Sequence, residues 1–465
     1  MPLFRQIYLS FRQNILSGGF RPGDRLPSTR TLAEELGVSR TVVLLAYEQL
    51  LAEGFATGRA GSGTYVAKGI ATATERRQER STRVRLSFFG SAAVKSAPRM
   101  HVPGKRPSPF HYDFAFGRAD LTFPFEAWRR ILLRQSRAAS IRTFDYGQPG
   151  GDENLRRAIA AHLRRSRAVV CDPDQVIVVS GSQQALDLIT RVLIERGNHV
   201  AVEDPMYQGT RLSLLAAGAC LQPVRVDRNG LDPARLSSNA RMVVVTPSHQ
   251  FPTGAILPLA RRVALLDWAR KRNAIVVEDD YDGEFRYDAQ PLESLQGLDT
   301  EGRVVYVGTF SRTVFSSLRI GYLVAPKSLV TVLLSAKWLA DRHTATLEQE
   351  ALAEFITSGL YERHLRRLRR KNAQRRQALL EAIRNHLGDR MEVTGDGAGS
   401  HVVLWPDRRH REEELVRSAA SQGVGVYGIA RYYVSRPARP GLLLGYARMS
   451  EHQIREGIRR LAEVL

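Results

Sequence analysis

The chain has 465 residues, of which 43% are hydrophobic and 8% aromatic, so it can bury sizeable cores in two or three domains. It contains no run of eighteen apolar residues, which excludes a transmembrane helix. The formal net charge of +21 favours a polyanionic partner, with nucleic acid as the natural candidate. A generally arginine-rich composition would give the same excess of positive charge without such a partner, so charge alone does not decide whether the protein binds nucleic acid.

The two cysteines, Cys171 and Cys220, lie in no spacing typical of a metal or redox site. We expect both to be buried small hydrophobes in a reduced compartment. The opening segment, MPLFRQIYLSFRQNI, interrupts its apolar pattern with arginines, unlike the hydrophobic region of a signal peptide. These features predict a cytoplasmic protein.

Residues 1–68 have the pattern of a winged helix-turn-helix. A first helix has an apolar face formed by Leu3, Ile7, Phe11 and Ile15. Ser28 is expected to cap a second helix that ends at Gly37, and Ser39 a third that ends at Gly54. The third helix is expected to bury Val43, Tyr47 and Leu50. The segment FATGRAGSGTYV then predicts two short strands around a glycine turn, which would form the wing.

The string GDRLPSTRTLAEELGVSRTVVLLAYEQLLAEGF, followed by GSGTYV, resembles the winged-helix domain of GntR-like bacterial regulators. The resemblance implies an α+β fold and double-stranded DNA as partner. It implies that four residues occupy DNA-contacting positions, namely Arg30, Arg40, Thr41 and Gly63. Arginine at the start of a recognition helix can pair bidentately with guanine. Leu44 stands where many relatives have another arginine, so one contact is expected to be missing.

Residues 69–109 are small, polar, basic and proline-containing, which predicts a flexible linker. Residues 110–465 alternate valine-rich runs of strand length with helical patterns. The runs are QVIVVS, HVAVED, RMVVVT, AIVVED and RVVYVG. Such runs indicate parallel strands buried on both faces, so the large domain is predicted to be α/β.

Polar and aromatic residues follow the ends of these strands. They are Ser182 and Gln183, Tyr207, Asp279 and Tyr281, and Ser311 and Arg319. The first amides of a helix suit a phosphate, as does a bidentate arginine, and a buried carboxylate suits a protonated pyridine nitrogen. Each residue alone has a structural alternative, since acidic residues at strand ends are common. Their shared edge of one sheet favours a ligand site.

These motifs, in this order, resemble the fold-type-I aminotransferase domain of pyridoxal-phosphate-dependent transferases. Joined to the GntR-like head, the chain outside the linker is similar to the MocR type of transcription factor. The resemblance implies a homodimer that binds pyridoxal 5'-phosphate and senses a small amine or the status of the cofactor. It assigns phosphate contacts to Ser182, Gln183, Ser311 and Arg319, ring stacking to Tyr207, the pyridine nitrogen to Asp279 and the phenolic oxygen to Tyr281. Arg431 is the candidate for an effector carboxylate, with a solvated surface arginine as the equally open alternative.

The departure from the family lies in YVGTFSRTVFSSLRIGYLVAP, where Arg312 stands at the Schiff-base lysine position. A guanidinium stays protonated and offers no nucleophilic amine, and neither Lys327 nor Lys337 is expected to replace it. We therefore predict no catalytic residue, no transaminase activity, and at most non-covalent cofactor binding. Arg312 could instead pair with the phosphate of a different ligand or with Asp279.

The leading interpretation is a DNA-binding transcriptional regulator whose aminotransferase-like domain senses a small molecule. One alternative is a pyridoxal-phosphate-dependent aminotransferase with a DNA-binding head. Arg312 counts against it, because transamination needs an amine at that position. A second alternative is a regulator whose large domain only dimerises. The basic segment YERHLRRLRRKNAQRRQ is interpreted as the solvated face of a long helix rather than a second DNA site.

Overall fold

A computed structural model describes residues 1–59, 61–69, 84–96, 109–117, 122–139, 145–287, 292–388 and 391–465. Contacts divide the chain into two compact units, Met1–Leu86 and Ser87–Leu465, and each is described by itself. Within the described residues, no helix combines the length and the apolar character needed to cross a membrane.

The N-terminal unit is a three-helix bundle followed by a two-stranded antiparallel hairpin. Its elements are α1 (Leu3–Ser17), α2 (Thr29–Leu36), α3 (Arg40–Ala52), β1 (Ala56–Arg59) and β2 (Gly63–Val66). The Ser28 hydroxyl accepts a hydrogen bond from the Thr31 N–H at 3.1 Å and so caps α2. Gly37 ends that helix at φ +61°, a left-handed conformation that glycine adopts at little cost. The winged helix-turn-helix prediction is confirmed.

The core of this unit lies where α3 crosses α1. Val43, Tyr47 and Leu50 are buried there as expected, and the Tyr47 hydroxyl donates to the Pro27 carbonyl at 2.9 Å. Leu3, which was predicted to share the apolar face of α1, is instead 55% exposed. It begins the helix, where no turn of another helix covers it.

The large unit contains strands of two main sheets and a surrounding set of helices. Its strands are β3 (Tyr112–Asp113), β4 (Val176–Val179), β5 (His199–Asp204), β6 (Cys220–Asp227), β7 (Gly230–Leu231), β8 (Met242–Val245), β9 (Ile275–Asp280), β10 (Val304–Thr309), β11 (Gly321–Val324), β12 (Glu392–Thr394), β13 (His401–Trp405), β14 (Val424–Gly425), β15 (Tyr427–Gly428) and β16 (Leu442–Gly445). Its helices are α4 (Phe88–Ser96), α5 (Phe125–Ala138), α6 (Glu153–Arg167), α7 (Ser182–Leu193), α8 (Gln208–Ala217), α9 (Leu259–Arg272), α10 (Leu295–Leu298), α11 (Lys327–Asp341), α12 (Thr346–Thr357), α13 (Leu360–Leu387), α14 (Glu412–Ser421) and α15 (Glu451–Ala462).

The larger sheet has the strand order β4-β11-β10-β9-β8-β5-β6-β7. The five valine-rich runs predicted to be strands are β4, β5, β8, β9 and β10, and all five point in one direction. The sheet is not wholly parallel, because β11 lies antiparallel between β4 and β10. Since β11 is antiparallel to both of these neighbours, the end of β4 still reaches the same edge as the others. On that edge, Val307 of β10 pairs with Asp279 of β9.

The smaller sheet has the order β12-β13-β16-β15 and packs against α13, α14 and α15 around a separate core. The long basic helix α13 buries Tyr361, Leu365 and Leu368 and exposes many of its arginines, as the sequence indicated. Together the two sheets give the α/β fold that the sequence predicted.

The segment expected to be a linker contains a helix, α4, which packs against α8 within the large unit. Its Phe88 and Phe89 rings lie under the guanidinium groups of Arg196 and Arg191, at 4.7 and 5.6 Å. The small-residue composition that favoured a linker does not exclude a short helix anchored by two aromatic rings. The rest of the predicted linker lies largely outside the described residues, and the two boundaries between the three predicted segments stay predictions.

Cys171 is buried, as expected, but Cys220 is exposed. Cys220 begins β6, which lies near the edge of the large sheet and has exposed side chains along much of its length. Strands near the edge of a sheet are less completely covered than central ones, which explains why the burial prediction for Cys220 is wrong.

Candidate ligand pocket and DNA-binding face

The candidate pocket lies at the edge of the large sheet where β4, β5, β9 and β10 end. The residues after these strands are Ser182 and Gln183 on α7, Tyr207 before α8, Asp279 and Tyr281 at the end of β9, and Ser311 after β10. Open α/β sheets bind ligands at this edge because the loops there are free to diverge. The structure brings the predicted pocket residues to the same edge.

One end of the candidate pocket carries groups of the kind that bind anions. The N–H groups of Ser182 and Gln183 belong to the first turn of α7, where the helix itself supplies no acceptors. Arg319 lies beside this turn and donates from Nη2 to the Ser180 carbonyl at 2.8 Å. A Cβ atom on Gly181 would lie 2.9 Å from that same guanidinium, so glycine is needed for the close approach. Helix amides and an exposed guanidinium therefore converge.

Ser311 follows β10 in a tight turn. Its N–H donates to Thr309 Oγ1 at 3.1 Å, and the Thr309 hydroxyl donates in turn to Ser311 Oγ at 3.1 Å. The Ser311 hydroxyl thus accepts within the turn and keeps its own proton for another acceptor. This arrangement suits a hydroxyl that donates to a phosphate oxygen.

Asp279 provides an acidic group, in contrast to the anion-binding groups at the other end of the candidate pocket. It is only 5% exposed, and its Oδ1 atom has no hydrogen-bond partner. Burial, together with smaller contributions from the charges of Asp280 and Glu203, raises the pKa of Asp279 to about 7. A buried carboxylate oxygen without a donor is costly, so a ligand N–H group would be favoured there.

Tyr281 belongs to a buried network that the sequence analysis did not find. Its hydroxyl lies 3.0 Å from His249 Nδ1, which is also 3.2 Å from Asp282, while His249 Nε2 is 3.2 Å from the Gly395 carbonyl. Burial lowers the pKa of His249, but the charge of Asp282 and hydrogen bonds outweigh this and raise the pKa above its usual value. The network fixes the position of the tyrosine hydroxyl at the pocket.

His249, Asp282 and His401 place potential metal-ligand atoms within 4.8 Å of one another. Both ring nitrogens of His249 already face hydrogen-bond partners, as described above. His249 and Asp282 therefore form a hydrogen-bonded support for Tyr281, while His401 Nε2 faces the Pro252 carbonyl at 3.0 Å.

Arg312 is partly buried and lies among the pocket residues. Its guanidinium is 4.2 Å from the centre of the Phe116 ring, and a Cβ atom on Gly117 would lie 3.3 Å from its Nη1. Burial lowers the pKa of Arg312, while the charge of Asp282 and the tyrosine hydroxyls oppose that effect. Among the described residues, Arg312 has neither a hydrogen bond nor an ion pair, and in particular it does not pair with Asp279.

Tyr207 and Arg431 lie toward the solvent side of the pocket. Tyr207 is 40% exposed and meets the Phe251 ring edge-on at 6.0 Å. Phe251 also contacts Tyr432 at 4.9 Å, and the Tyr432 hydroxyl accepts a hydrogen bond from Arg431 at 2.7 Å. Arg431 is exposed, so it is connected to the pocket through Tyr432 rather than enclosed in it.

The two lysines considered as replacements have other partners. Lys337 is buried on α11 and forms an ion pair with Asp341. Lys327 is exposed and pairs with Asp172 at 3.0 Å.

Further buried ion pairs and hydrogen bonds support the pocket from below. Arg167 pairs with Asp280 at 2.7 Å, and the Tyr306 hydroxyl donates to the same carboxylate at 2.6 Å. Glu203 accepts from the Thr246 hydroxyl at 2.6 Å and so ties the loop after β8 to β5. Neither His249 nor Phe251 in this loop was predicted from the sequence, because their partners are far away in the chain.

The candidate DNA-binding face lies on the N-terminal unit. Arg30, Arg40 and Thr41 are all exposed near the start of α2 and α3. Arg40 donates from Nε to Thr29 Oγ1 at 3.3 Å, and Arg30 pairs with Glu34 at 3.3 Å. Surface interactions of this kind are weak and leave arginines able to exchange partners.

The wing places one further arginine beside this face. Gly63 begins β2 at φ +114°, and a Cβ atom on it would lie 3.1 Å from Arg25 Nε. The positive φ favours glycine at this position, and a side chain there would displace the Arg25 guanidinium slightly. Gly63 was predicted from its sequence motif, whereas Arg25 was not, because its proximity to Gly63 depends on the fold of the wing.

The fold and the pocket define an aminotransferase-like domain, and a winged helix precedes it. A family model described as "Aminotransferase class I and II" matches residues 113–461, and one described as "Bacterial regulatory proteins, gntR family" matches residues 3–66. The "Probable rhizopine catabolism regulatory protein MocR" of Rhizobium meliloti is 39% identical over 465 residues, covering 99% of this chain and 93% of the relative.

A second regulator, the "HTH-type pyridoxine biosynthesis transcriptional regulator PdxR" of Corynebacterium glutamicum, is 31% identical, covering 97% of this chain and 93% of the relative. Among solved structures, Pyrococcus horikoshii kynurenine aminotransferase is similar with a TM-score of 0.72 and 27% identity, covering 84% of this chain and 97% of that one. The α-aminoadipate aminotransferase LysN of Thermus thermophilus matches with a TM-score of 0.72 and 29% identity, covering 82% and 98%. The chain belongs to the MocR type of GntR-family helix-turn-helix transcriptional regulators.

Proposed function

We propose that this regulator binds DNA through its N-terminal unit and senses a small molecule through a non-catalytic pocket in its large unit. The ligand is pyridoxal 5'-phosphate or a close relative, held without a covalent bond. The observation that carries the proposal is the buried, unpartnered Oδ1 of Asp279 at the same sheet edge as an anion-binding helix turn. That pairing of an acid and an anion site fits a phosphorylated pyridine.

Different residues of the pocket would contact different parts of the ligand. Phosphate oxygens would be held by Ser182, Gln183, Ser311 and Arg319. Asp279 would accept from the protonated ring nitrogen, Tyr281 would hold the phenolic oxygen, and Tyr207 would cover the ring. When bound, the cofactor supplies an aldehyde and an electron-withdrawing ring.

The same pocket lacks what an aminotransferase needs. A proton-transferring amine must be neutral at some stage, whereas the guanidinium of Arg312 stays charged and delocalised near neutral pH. Lys327 and Lys337 are both engaged in ion pairs elsewhere. We therefore infer that the aminotransferase fold serves recognition here, and that the regulator alternative explains the residues better than the enzyme alternative.

Sensing requires that the ligand favour one arrangement of the protein over another. Its influence on DNA binding equals the difference in its affinity for the two arrangements. We infer a homodimer, which would read two half-sites through its paired winged helices. An anionic effector would meet Arg319 and, at the solvent side, Arg431.

Binding and borohydride reduction test the proposal together. The full chain is titrated with pyridoxal 5'-phosphate, followed by ligand absorbance after dialysis and by mass spectrometry after borohydride treatment. We expect saturable binding that dialysis reverses and no mass added to the chain. A reducible adduct on the unmodified protein would contradict the proposal.

Asp279→Ala gives a matched control, because it removes the partner of the ring nitrogen and leaves the phosphate end intact. It should weaken binding by about ten- to a hundredfold, the range for a hydrogen bond to a charged group. Absence of saturable binding to the unmodified chain would instead favour a large domain that only dimerises.

A further inference from the structure

Arg312 is a charged group in the pocket whose hydrogen-bonding capacity is unused. A guanidinium carries five N–H donors, and no acceptor among the described residues takes any of them. Arg319, by contrast, donates to the Ser180 carbonyl at 2.8 Å. The proposed function places a ligand next to Arg312, and the inference below rests on that proposal.

The nearby carboxylates do not serve as partners for Arg312. Asp282 contributes the largest favourable charge, but it is hydrogen-bonded to His249 at 3.2 Å. Asp279 is left with an unpartnered oxygen, which suits the ring nitrogen of a ligand. Arg312 therefore forms no direct ion pair with any of the described residues, although the charge of Asp282 acts on it from nearby.

Arg312 packs against an aromatic ring and a glycine. Its Cζ atom lies over the Phe116 ring at 4.2 Å from the ring centre, a contact that covers the guanidinium without using its in-plane N–H donors. Gly117 lies beside the guanidinium, where a side chain would come within 3.3 Å of Nη1. A planar guanidinium edge matches a carboxylate, which it can bind through two parallel hydrogen bonds.

We propose that the pocket selects a phosphorylated pyridine that carries a carboxylate at ring position 4, where pyridoxal 5'-phosphate carries its aldehyde. Position 4 is the carbon that a lysine would approach in an enzyme, and Arg312 occupies the lysine's place in the sequence. The ligand is thus the acid counterpart of the cofactor, recognised by a salt bridge to Arg312. An amine at that position would be positively charged and repelled.

Three small probes distinguish these cases by isothermal titration of the full chain. They are pyridoxal 5'-phosphate, pyridoxamine 5'-phosphate and the 4-carboxylate analogue, 4-pyridoxate 5'-phosphate. The carboxylate should bind about ten- to a hundredfold more tightly than the aldehyde, and the amine more weakly than both. Equal affinities, or an amine that binds best, would overturn the inference while leaving the proposed function intact. Failure of all three to bind would overturn both.

A fourth probe is a phosphopyridoxyl amino acid. Its carboxylate belongs to the amino acid and is separated from the pyridine ring by a charged secondary amine. If it binds more tightly than the ring carboxylate, Arg312 recognises an amino-acid carboxylate and the inference is wrong.

Arg312→Gln should remove the preference for the ring carboxylate while keeping the affinity for the aldehyde within a few-fold. Arg417→Gln, which removes an exposed arginine of α14, is the matched control and should preserve the whole order. A preference that survives in Arg312→Gln would assign it to another residue.

Discussion

The two units use the same residue type in two different ways. On the N-terminal unit, Arg30 and Arg40 are exposed and hold only long, weak interactions with neighbouring side chains. In the large unit, Arg312 is partly buried, lies over an aromatic ring and has no ion-pair partner within the part of the chain that the structure describes. Exposed arginines attract a polyanion over a distance and are screened by salt, whereas an enclosed one can discriminate between single functional groups. Position, rather than composition, therefore distinguishes arginines suited to DNA from an arginine suited to a small ligand.

The largest expected effect comes from turning the enclosed arginine into an amine. Arg312→Lys supplies a side chain that can lose its proton and react with the cofactor aldehyde. If the rest of the pocket is intact, the variant should gain a yellow colour and a covalent adduct that borohydride traps, measured by absorbance and intact mass. A colourless, unmodified variant would show that the remaining pocket does not hold the ligand.

The next effect concerns the stability of the ligand-free protein, and it follows from the raised pKa of Asp279. Burial, together with Asp280, Glu203 and Asp282, raises that pKa from 3.8 to about 7, against the opposing charge of Arg312. Below pH 3.8 the carboxyl is protonated in both states. Between pH 3.8 and 7 the unfolded chain releases a proton that the folded chain retains, so the free energy of unfolding falls as the pH rises.

Asp279→Asn removes this pH-dependent loss in the free energy of unfolding. At pH 8 the variant should be more stable than the unmodified protein by on the order of 1–4 kcal/mol, and the gain should vanish near pH 4. Denaturant titrations at pH 4, 6 and 8 measure the difference, and the unmodified protein is the control at each pH. A constant difference across this range would contradict the raised pKa.

An intermediate effect is expected on the DNA-binding face. Arg40→Ala should weaken binding to the preferred operator by ~1–3 kcal/mol if the side chain reads a base, and it should relax specificity at one position. Gel-shift titrations against matched and mismatched operators provide the measurement. Unchanged affinity and sequence preference would remove Arg40 from the contacts, and Arg30→Ala tests the neighbouring position in the same way.

The solvent side of the pocket should show how far the ligand extends. Arg319→Ala is expected to weaken phosphate binding, whereas Arg431→Ala should have a smaller effect because Arg431 is exposed and bonded to Tyr432. The readout is the ligand-dependent change in DNA affinity. If both variants keep that change intact, neither arginine holds the effector.

Local patterns predicted much of the fold and some of the pocket. The strand runs and the residues at their ends could be found because each signal lies within a few consecutive positions, as with Asp279 and Tyr281 at the end of β9. The antiparallel placement of β11 could not be found, since it depends on which strands become neighbours. His249 was missed for the same reason, because its contacts with Tyr281 and Gly395 join distant parts of the chain. The unpartnered state of Arg312 also emerges only from three-dimensional packing.

The smallest effect is expected when one arginine is added to the exposed arginines of the N-terminal unit. Leu44 lies on α3, is 45% exposed, and stands where many GntR-like relatives have an arginine. Leu44→Arg removes little packing and should add one phosphate contact, which raises affinity by a few-fold at low salt and steepens the salt dependence by about one unit of log–log slope. Leu45→Arg is the matched control, because Leu45 is 44% exposed but points about 100° away around the same helix. Equal gains from both variants would indicate general attraction to DNA, whereas a gain confined to Leu44→Arg would place that side of α3 against the phosphate backbone.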